Sequence, residues 1–384
     1  MPITRLHVDV PEEELADLDR RLASTRFIDP EPEADWRAGM PVEYLRGLGV
    51  HWRTRFDWRR LEDRINGFDN LRVDIDGLGV HCVHRRGVGP DPIPIVLLHG
   101  WPSSFVELLD LADHLADPGG HGADAADPFD VVVPSFPGFG YSDAPRTATW
   151  ASPDDGETIA RLMTELGYER FAIHTHDIGA SAMRSVLLNQ HERILGYHTT
   201  EPGIPGPHPL PDRGSMSGEE RRYQDLAESW SADEGGYFGI LGTRPLTIGH
   251  ALNDSPAGLA AWIVEKWWAW TVPPGSGRTL DEFLSLDQIL ANVALYWHTR
   301  TVNSANWPYY RKRARRTHDE HAEIPVGVAL TTQPIERAPR SWAERFFPDI
   351  RRWEDLGVGG HFVALEQPAK LAGAIRAFVR PLRT

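Results

Sequence analysis

An apolar run from Arg170 to His174 passes into a helix-like run from Ser181 to Asn189 through Thr175-His176-Asp177-Ile178-Gly179-Ala180. No other stretch constrains the fold as strongly. A buried strand that turns at once into a helix brings two backbones together, and only small side chains fit between them. Small residues stand at 175, 179 and 180, around a central acid. This is the layout of a nucleophile elbow, a strained turn that exposes one side chain at the top of a sheet. Serine commonly fills that place in G-x-S-x-G. Here it is Asp177.

The rest of the chain reads as the sheet such a turn requires. Continuous apolar runs at Ile93 to Leu98, Phe129 to Val133, Phe171 to His174, Ile194 to His198 and Val326 to Thr332 suit strands buried on both faces. Helical patterns separate them, Phe105 to Ala116 and Pro153 to Leu166 among them, and another from Gln367 to Val379 closes the chain. The series predicts an α/β fold with a mainly parallel sheet and a site at the strands' C-terminal ends. It breaks at Glu201-Pro202-Gly203, and residues from about 216 to 316 read as helices dense in tryptophan, one starting at Asp254-Ser255-Pro256. An all-helical insertion at that point is expected to be a lid over the site.

Ahead of the series, Pro11-Glu12-Glu13-Glu14 opens a helix with Leu15, Leu18 and Leu22 on one stripe. Helical stretches follow between Trp36 and Ile65. Two runs then alternate at period two around Asp76-Gly77, a hairpin signal. The expected organisation is an N-terminal segment at 1–90 wrapping the core, a catalytic domain at 91–203 and 321–384, and a lid at 204–320.

Composition bears on partners and compartment. A net charge of −15, from 40 Lys+Arg against 55 Asp+Glu, disfavours nucleic acid, which needs a concentrated basic face. The single cysteine, Cys82, excludes a disulfide framework and any Cys-rich metal site. The N-terminus lacks the order of a signal peptide, and no apolar run approaches the roughly 18 residues of a membrane span. A cytoplasmic protein with no membrane anchor is expected, with a homodimer left open.

His99-Gly100-Trp101-Pro102 directly follows the first buried strand. In a fold with an elbow two strands later, this loop supplies one oxyanion-hole N–H and the residue after the nucleophile the other. Those donors would be Trp101 and Ile178. Gly359-Gly360-His361-Phe362 lies where a histidine completes a triad, last in chain order. Its acid partner should sit on the preceding strand-to-helix loop. Glu336 follows the strand Val326 to Thr332 directly, while Asp349 and Glu354 compete. An aspartate nucleophile points to a particular chemistry. A carboxylate is already an anion and can displace a leaving group at saturated carbon; only hydrolysis of the resulting ester needs a base and water. Saturated carbons with a strained or good leaving group are epoxides and alkyl halides.

Across nearly its whole length the chain resembles the epoxide hydrolases of the microsomal and juvenile-hormone type, as a soluble bacterial member of the α/β-hydrolase fold. The resemblance rests on His99-Gly-Trp-Pro, Pro134-Ser-Phe-Pro-Gly-Phe-Gly-Tyr-Ser142, Ala251-Leu-Asn-Asp-Ser-Pro256 and Gly359-Gly-His-Phe-Val-Ala-Leu-Glu366, in order and spacing. It implies a cofactor-independent, metal-free enzyme acting on an epoxide and water. It also implies two lid tyrosines that hydrogen-bond the epoxide oxygen and donate a proton. Tyr237, in Glu234-Gly-Gly-Tyr-Phe, matches the first. The second falls in Ser304-Ala-Asn-Trp-Pro-Tyr-Tyr310, where one inserted residue leaves Tyr309 preferred and Tyr310 open. Ile178 departs from the tryptophan that usually follows the nucleophile.

Competing readings remain. Ile178 and the tyrosine pair disfavour a haloalkane dehalogenase, which needs indole N–H donors for halide; a catalytically inactive binding protein is the other alternative. His174-x-His176-Asp177 could hold a metal, but no further cluster supports it. Ser181 mimics a serine nucleophile one turn into the helix, away from the exposed corner. Two or three of the insertion's tryptophans should face substrate, favouring a bulky apolar or aryl epoxide.

Overall fold

In the computed structural model of the chain, residues 3–32, 35–147, 150, 152–206, 210–311 and 321–383 are described. The first described element is a short strand, β1 (Ile3–Arg5), whose three residues are all exposed and show no buried-strand pattern. Helices α1 (Glu12–Ala23), α2 (Val42–Thr54) and α3 (Trp58–Asn66) follow. In α1, acids fill the first turn and Arg20 and Arg21 the last, each sign complementing the helix dipole. Leu18 and Leu22 are buried on its inner stripe. The alternating runs form β2 (Asp69–Ile75) and β3 (Leu78–Arg85), antiparallel, with Ile75 opposite Leu78 across a two-residue turn. β1 pairs with the outer edge of β2.

The continuous apolar runs become β4 (Ile93–Leu98), β5 (Phe129–Pro134), β6 (Phe171–Thr175) and β7 (Ile194–Thr199). Between them lie α4 (Leu109–Ala116), α5 (Ser152–Glu165) and α6 (Asp177–Asn189). The expected helix from Phe105 starts as a 3₁₀ turn at Phe105–Leu108. After β7 the chain leaves the sheet for α7 (Gly218–Glu234), α8 (Gly236–Thr243), α9 (Pro245–Asp254), α10 (Pro256–Thr271), α11 (Leu286–Thr299) and α12 (Val302–Arg311). Serines start three of these: Ser217 and Ser285 in capping boxes, and Ser255 ahead of Pro256. The boundary expected at residue 320 lies outside the described residues.

The chain rejoins the sheet at β8 (Val326–Leu330), then runs through α13 (Arg340–Glu344), β9 (Ile350–Asp355), α14 (Val363–Glu366) and α15 (Pro368–Val379). Strand order is β1-β2-β3-β5-β4-β6-β7-β8-β9, parallel from β5 to β9 and antiparallel from β1 to β3 and between β3 and β5. β9, absent from the sequence reading, is an edge strand whose Arg351, Arg352 and Glu354 suit one open side. No helix among the described residues is long and apolar enough to cross a membrane.

The N-terminal helices lie against the helical insertion. Trp36 stacks on Trp268 at 5.0 Å, and Trp58 packs 4.4 Å from His298 between ring centroids. Arg21 donates to the Asp254 carbonyl at 2.9 Å, and His51 meets Asp287 at 2.7 Å. Trp52 and Trp58 are buried. Truncating one such side chain to Ala costs about 3–5 kcal/mol. Deleting residues 1–60 should therefore give insoluble or inactive protein. A soluble truncate with full activity and an unchanged melting temperature would show a detachable appendage instead.

Candidate active site

Asp177 is the first residue of α6 and has φ 50°, a left-handed conformation rare for a residue other than glycine. The close approach anticipated from its small neighbours is present. A Cβ on Gly100 would sit 2.6 Å from the Asp177 Cβ, and one on Gly179 3.0 Å from the Leu98 Cβ. The Trp101 N–H donates to Asp177 Oδ1 at 2.9 Å. The Ile178 N–H also donates to this carboxylate.

Strands β6, β7 and β8 lie side by side, and an acid stands just beyond the end of each. Asp177 follows β6, Glu201 follows β7 and Glu336 occupies the turn after β8. His361, beyond β9, reaches back to all three. Its Nδ1 lies 2.6 Å from Glu336 Oε1 and 3.5 Å from Glu201 Oε1, and its Nε2 lies 3.8 Å from Asp177 Oδ2. The carboxylate on Nδ1 assigns the proton to that nitrogen. Glu336 also accepts from Thr331 Oγ1 at 2.6 Å. Glu201 accepts the Asp177 N–H with its other oxygen. The competing acids are elsewhere: Asp349 pairs with Arg351 and Glu354 with Arg352.

Glu201 is the residue the sequence reading missed. In the sequence it marks only the place where the strand series breaks. The available signal was an acid directly beyond a buried parallel strand, the same signal that singled out Glu336.

Burial opposes charge on every member of this cluster, and the partners decide the outcome. Burial works against an imidazolium, yet Glu336 and Glu201 outweigh it and hold His361 well above its ordinary range. Burial raises Glu336, only partly offset by His361. Glu201 is lowered despite burial, because His361, His176 and the Asp177 N–H favour its charged form. Burial also raises Asp177, with Glu201 adding to the effect and His361 and the two N–H donors opposing it.

Across the cavity, Tyr237 and Tyr309 are buried and hydrogen-bonded to each other, with ring centroids 5.8 Å apart. Tyr237 stacks on Trp101 at 4.9 Å. Burial, with Asp177 nearby, raises both phenols and keeps them protonated. Tyr310 is exposed, with its ring against Trp307.

The cavity measures about 300 Å³, and its apolar wall includes Trp230, Trp270, Phe238, Ile178, Ile204 and Ile335. Two of the insertion's tryptophans therefore line it. Trp267 instead stacks on Phe362 and Trp268 on Trp36. Ser181 lines the cavity too, although the sequence placed it away from the exposed corner.

His174 and His176 do not form a joint ligand pair. His174 contacts His198 at 3.0 Å, while His176 lies 3.4 Å from buried Glu107. Among the described residues, the grouping with cation-like spacing is Glu201, Glu336 and His361, whose ligand atoms lie within 4.8 Å of one another. The Nδ1 there is already hydrogen-bonded to Glu336. The Trp101 indole N–H donates to Asn306 Oδ1 at 3.3 Å, so it is not free to hold a halide.

Residues 3–108 match the family described as the epoxide hydrolase N terminus, and residues 93–234 match the alpha/beta hydrolase fold. A protein of Stigmatella aurantiaca (strain DW4/3-1), named among the epoxide hydrolases, is 40% identical over 381 residues, covering 99% of this chain and 86% of that one. Epoxide hydrolase 1 of Oryctolagus cuniculus is 30% identical, over 97% of this chain and 87% of that protein. The solved structure of Aspergillus niger epoxide hydrolase has a TM-score of 0.84 at 29% identity, covering 100% of this chain and 97% of that one. Juvenile hormone epoxide hydrolase from Bombyx mori reaches 0.90 over 100% of this chain and 95% of that one, a likeness of fold at 23% identity. With its N-terminal segment, its α/β-hydrolase sheet and relatives matched nearly end to end, the chain belongs to the epoxide hydrolases of the microsomal and juvenile-hormone type.

Proposed function

We propose that this epoxide hydrolase converts a bulky apolar or aryl epoxide to a vicinal diol through a covalent ester on Asp177. One observation carries the reading: the Asp177 carboxylate faces a single cavity with Trp101 N–H on one oxygen, His361 Nε2 near the other and two neutral phenols opposite. In the first step Asp177 Oδ2 attacks an epoxide carbon and the strained C–O bond breaks. The alkoxide takes a proton from Tyr237 or Tyr309, leaving a tyrosinate.

In the second step, with the Asp177 charge that favours an imidazolium lost to the ester, His361 in its neutral Nδ1–H form removes a proton from water through Nε2 as the water oxygen adds to the ester carbonyl. Glu336 orients the ring, and the N–H groups of Trp101 and Ile178 hold the oxyanion. Collapse expels the diol oxygen, which takes its proton from His361. The Asp177 carboxylic acid then gives up its proton, and the tyrosinate regains one. The sum is epoxide plus water to diol.

The helical insertion acts as the lid that brings both tyrosines over Asp177. An apolar cavity of this size supports an aryl or comparably bulky substrate over a short aliphatic one. With styrene oxide, Tyr237→Phe and Tyr309→Phe should each slow ester formation by about 10²-fold, the scale of general acid catalysis. Tyr310→Phe should leave it unchanged. Single-turnover kinetics with diol analysis checks this; equal losses at 309 and 310, or none at 237 and 309, contradict the reading.

A further inference from the structure

One imidazole nitrogen has two carboxylates beside it. Glu336 is close to His361 Nδ1, at 2.6 Å, and Glu201 stands 3.5 Å from the same atom. Glu201 is only 7% exposed, and among the described residues no Arg or Lys is paired with it. A buried carboxylate without a cation is expensive unless hydrogen bonds and a specific partner stabilise it. It also repels the neighbouring Asp177 charge. Nothing about nucleophilic attack calls for that repulsion.

Its position explains it better. β7 runs between the strand that carries the nucleophile and the strand that carries Glu336. Glu201 therefore sits between Asp177 and Glu336 at the sheet's C-terminal edge. One oxygen accepts the Asp177 N–H and the other faces His361. Its backbone is fixed as well: the Glu201 N–H donates to Thr199 Oγ1 at 3.0 Å, and its carbonyl accepts from Ile204 N–H at 3.0 Å.

We propose that Glu201 is a second positioning acid for His361, sharing Nδ1 with Glu336, so that ester hydrolysis survives loss of either carboxylate but not of both. When Glu336 is neutralised, a small tilt of the ring turns the Nδ1–H toward Glu201. Nε2 stays aimed at Asp177, and the proton inventory of the hydrolytic step is unchanged: water gives a proton to Nε2, and the leaving diol oxygen takes it back. In the wild type both anions face the imidazolium formed as water is deprotonated.

The proposal rests on the aspartyl-ester reading, and its test separates the two. Glu336→Gln, Glu201→Gln and the double variant are compared with wild type in single turnovers of styrene oxide. Ester formation and ester decay are followed separately by quenching and intact mass. Each single variant should slow decay about tenfold, while the double variant falls by the roughly 10⁴-fold that loss of a lone triad acid costs. That excess over the product of the singles is the coupling signature. Ester formation should keep its wild-type order of magnitude, and melting temperatures should not move. The proposal is overturned if Glu336→Gln alone is as slow as the double variant, or if the two losses simply multiply. It is also overturned if Glu201→Gln slows formation as much as decay, or lowers the melting temperature, since either marks a structural role. An observed ester with multiplying losses removes the second acid and leaves the ester reading standing. Absence of any ester, in wild type and variants alike, removes both.

Discussion

Asp177→Ala removes turnover of styrene oxide, with a loss of at least about 10⁴-fold, the scale on which a covalent nucleophile's deletion registers. The size of the effect follows from the number of roles this carboxylate would hold. It would form the bond to carbon and then present the ester carbonyl to the Trp101 and Ile178 N–H groups, and it lies opposite His361 Nε2. Glu201 offers no substitute nucleophile, because its two oxygens face the Asp177 N–H and His361. A control is needed, since Asp177 sits at φ 50°. Residues lacking a short polar side chain find that conformation less favourable by roughly 1–2 kcal/mol. Asp177→Asn avoids most of that strain, so it should fold like wild type and still lose activity. Near-wild-type rates in either variant would contradict the assignment; melting temperatures show whether the Ala variant's loss reflects the fold.

Much of this architecture was legible in the sequence because the governing interactions are local. The apolar runs of β4 to β8 announce burial on both faces, and Ser255 ahead of Pro256 announces a helix start through its bond to nearby backbone. The elbow was legible because Gly179 and Ala180 have no other reason to cluster round an acid. The two edge strands were not. β1 has three exposed residues and β9 is rich in charge, so neither shows the signature of a buried strand.

At the site, adjacency between strands is what the sequence withholds. Glu201 and Glu336 are far apart along the chain and become neighbours only because β7 and β8 pair. The choice among Glu336, Asp349 and Glu354 likewise depends on which acid meets His361 and which meets an arginine. Between Tyr309 and Tyr310 the deciding quantity is helix phase around Pro308, which turns one ring into the cavity and the other out. Burial of Asp177 was also hidden, and with it the upward pressure on its carboxyl.

His361→Gln tests the covalent account from the other side. On the proposed mechanism, ester formation needs only the Asp177 anion and the phenols, whereas ester decay needs a base for water. The Gln side chain approximates the imidazole's reach without supplying that base. Formation should continue while decay falls by orders of magnitude, so the enzyme should stop after one turnover. The decisive measurement is the intact mass of His361→Gln after incubation with styrene oxide, followed by peptide mapping. The predicted result is an increase equal to the whole substrate, carried by the peptide containing Asp177. An unshifted mass from enzyme still able to form diol, or an adduct on any other residue, would contradict the account.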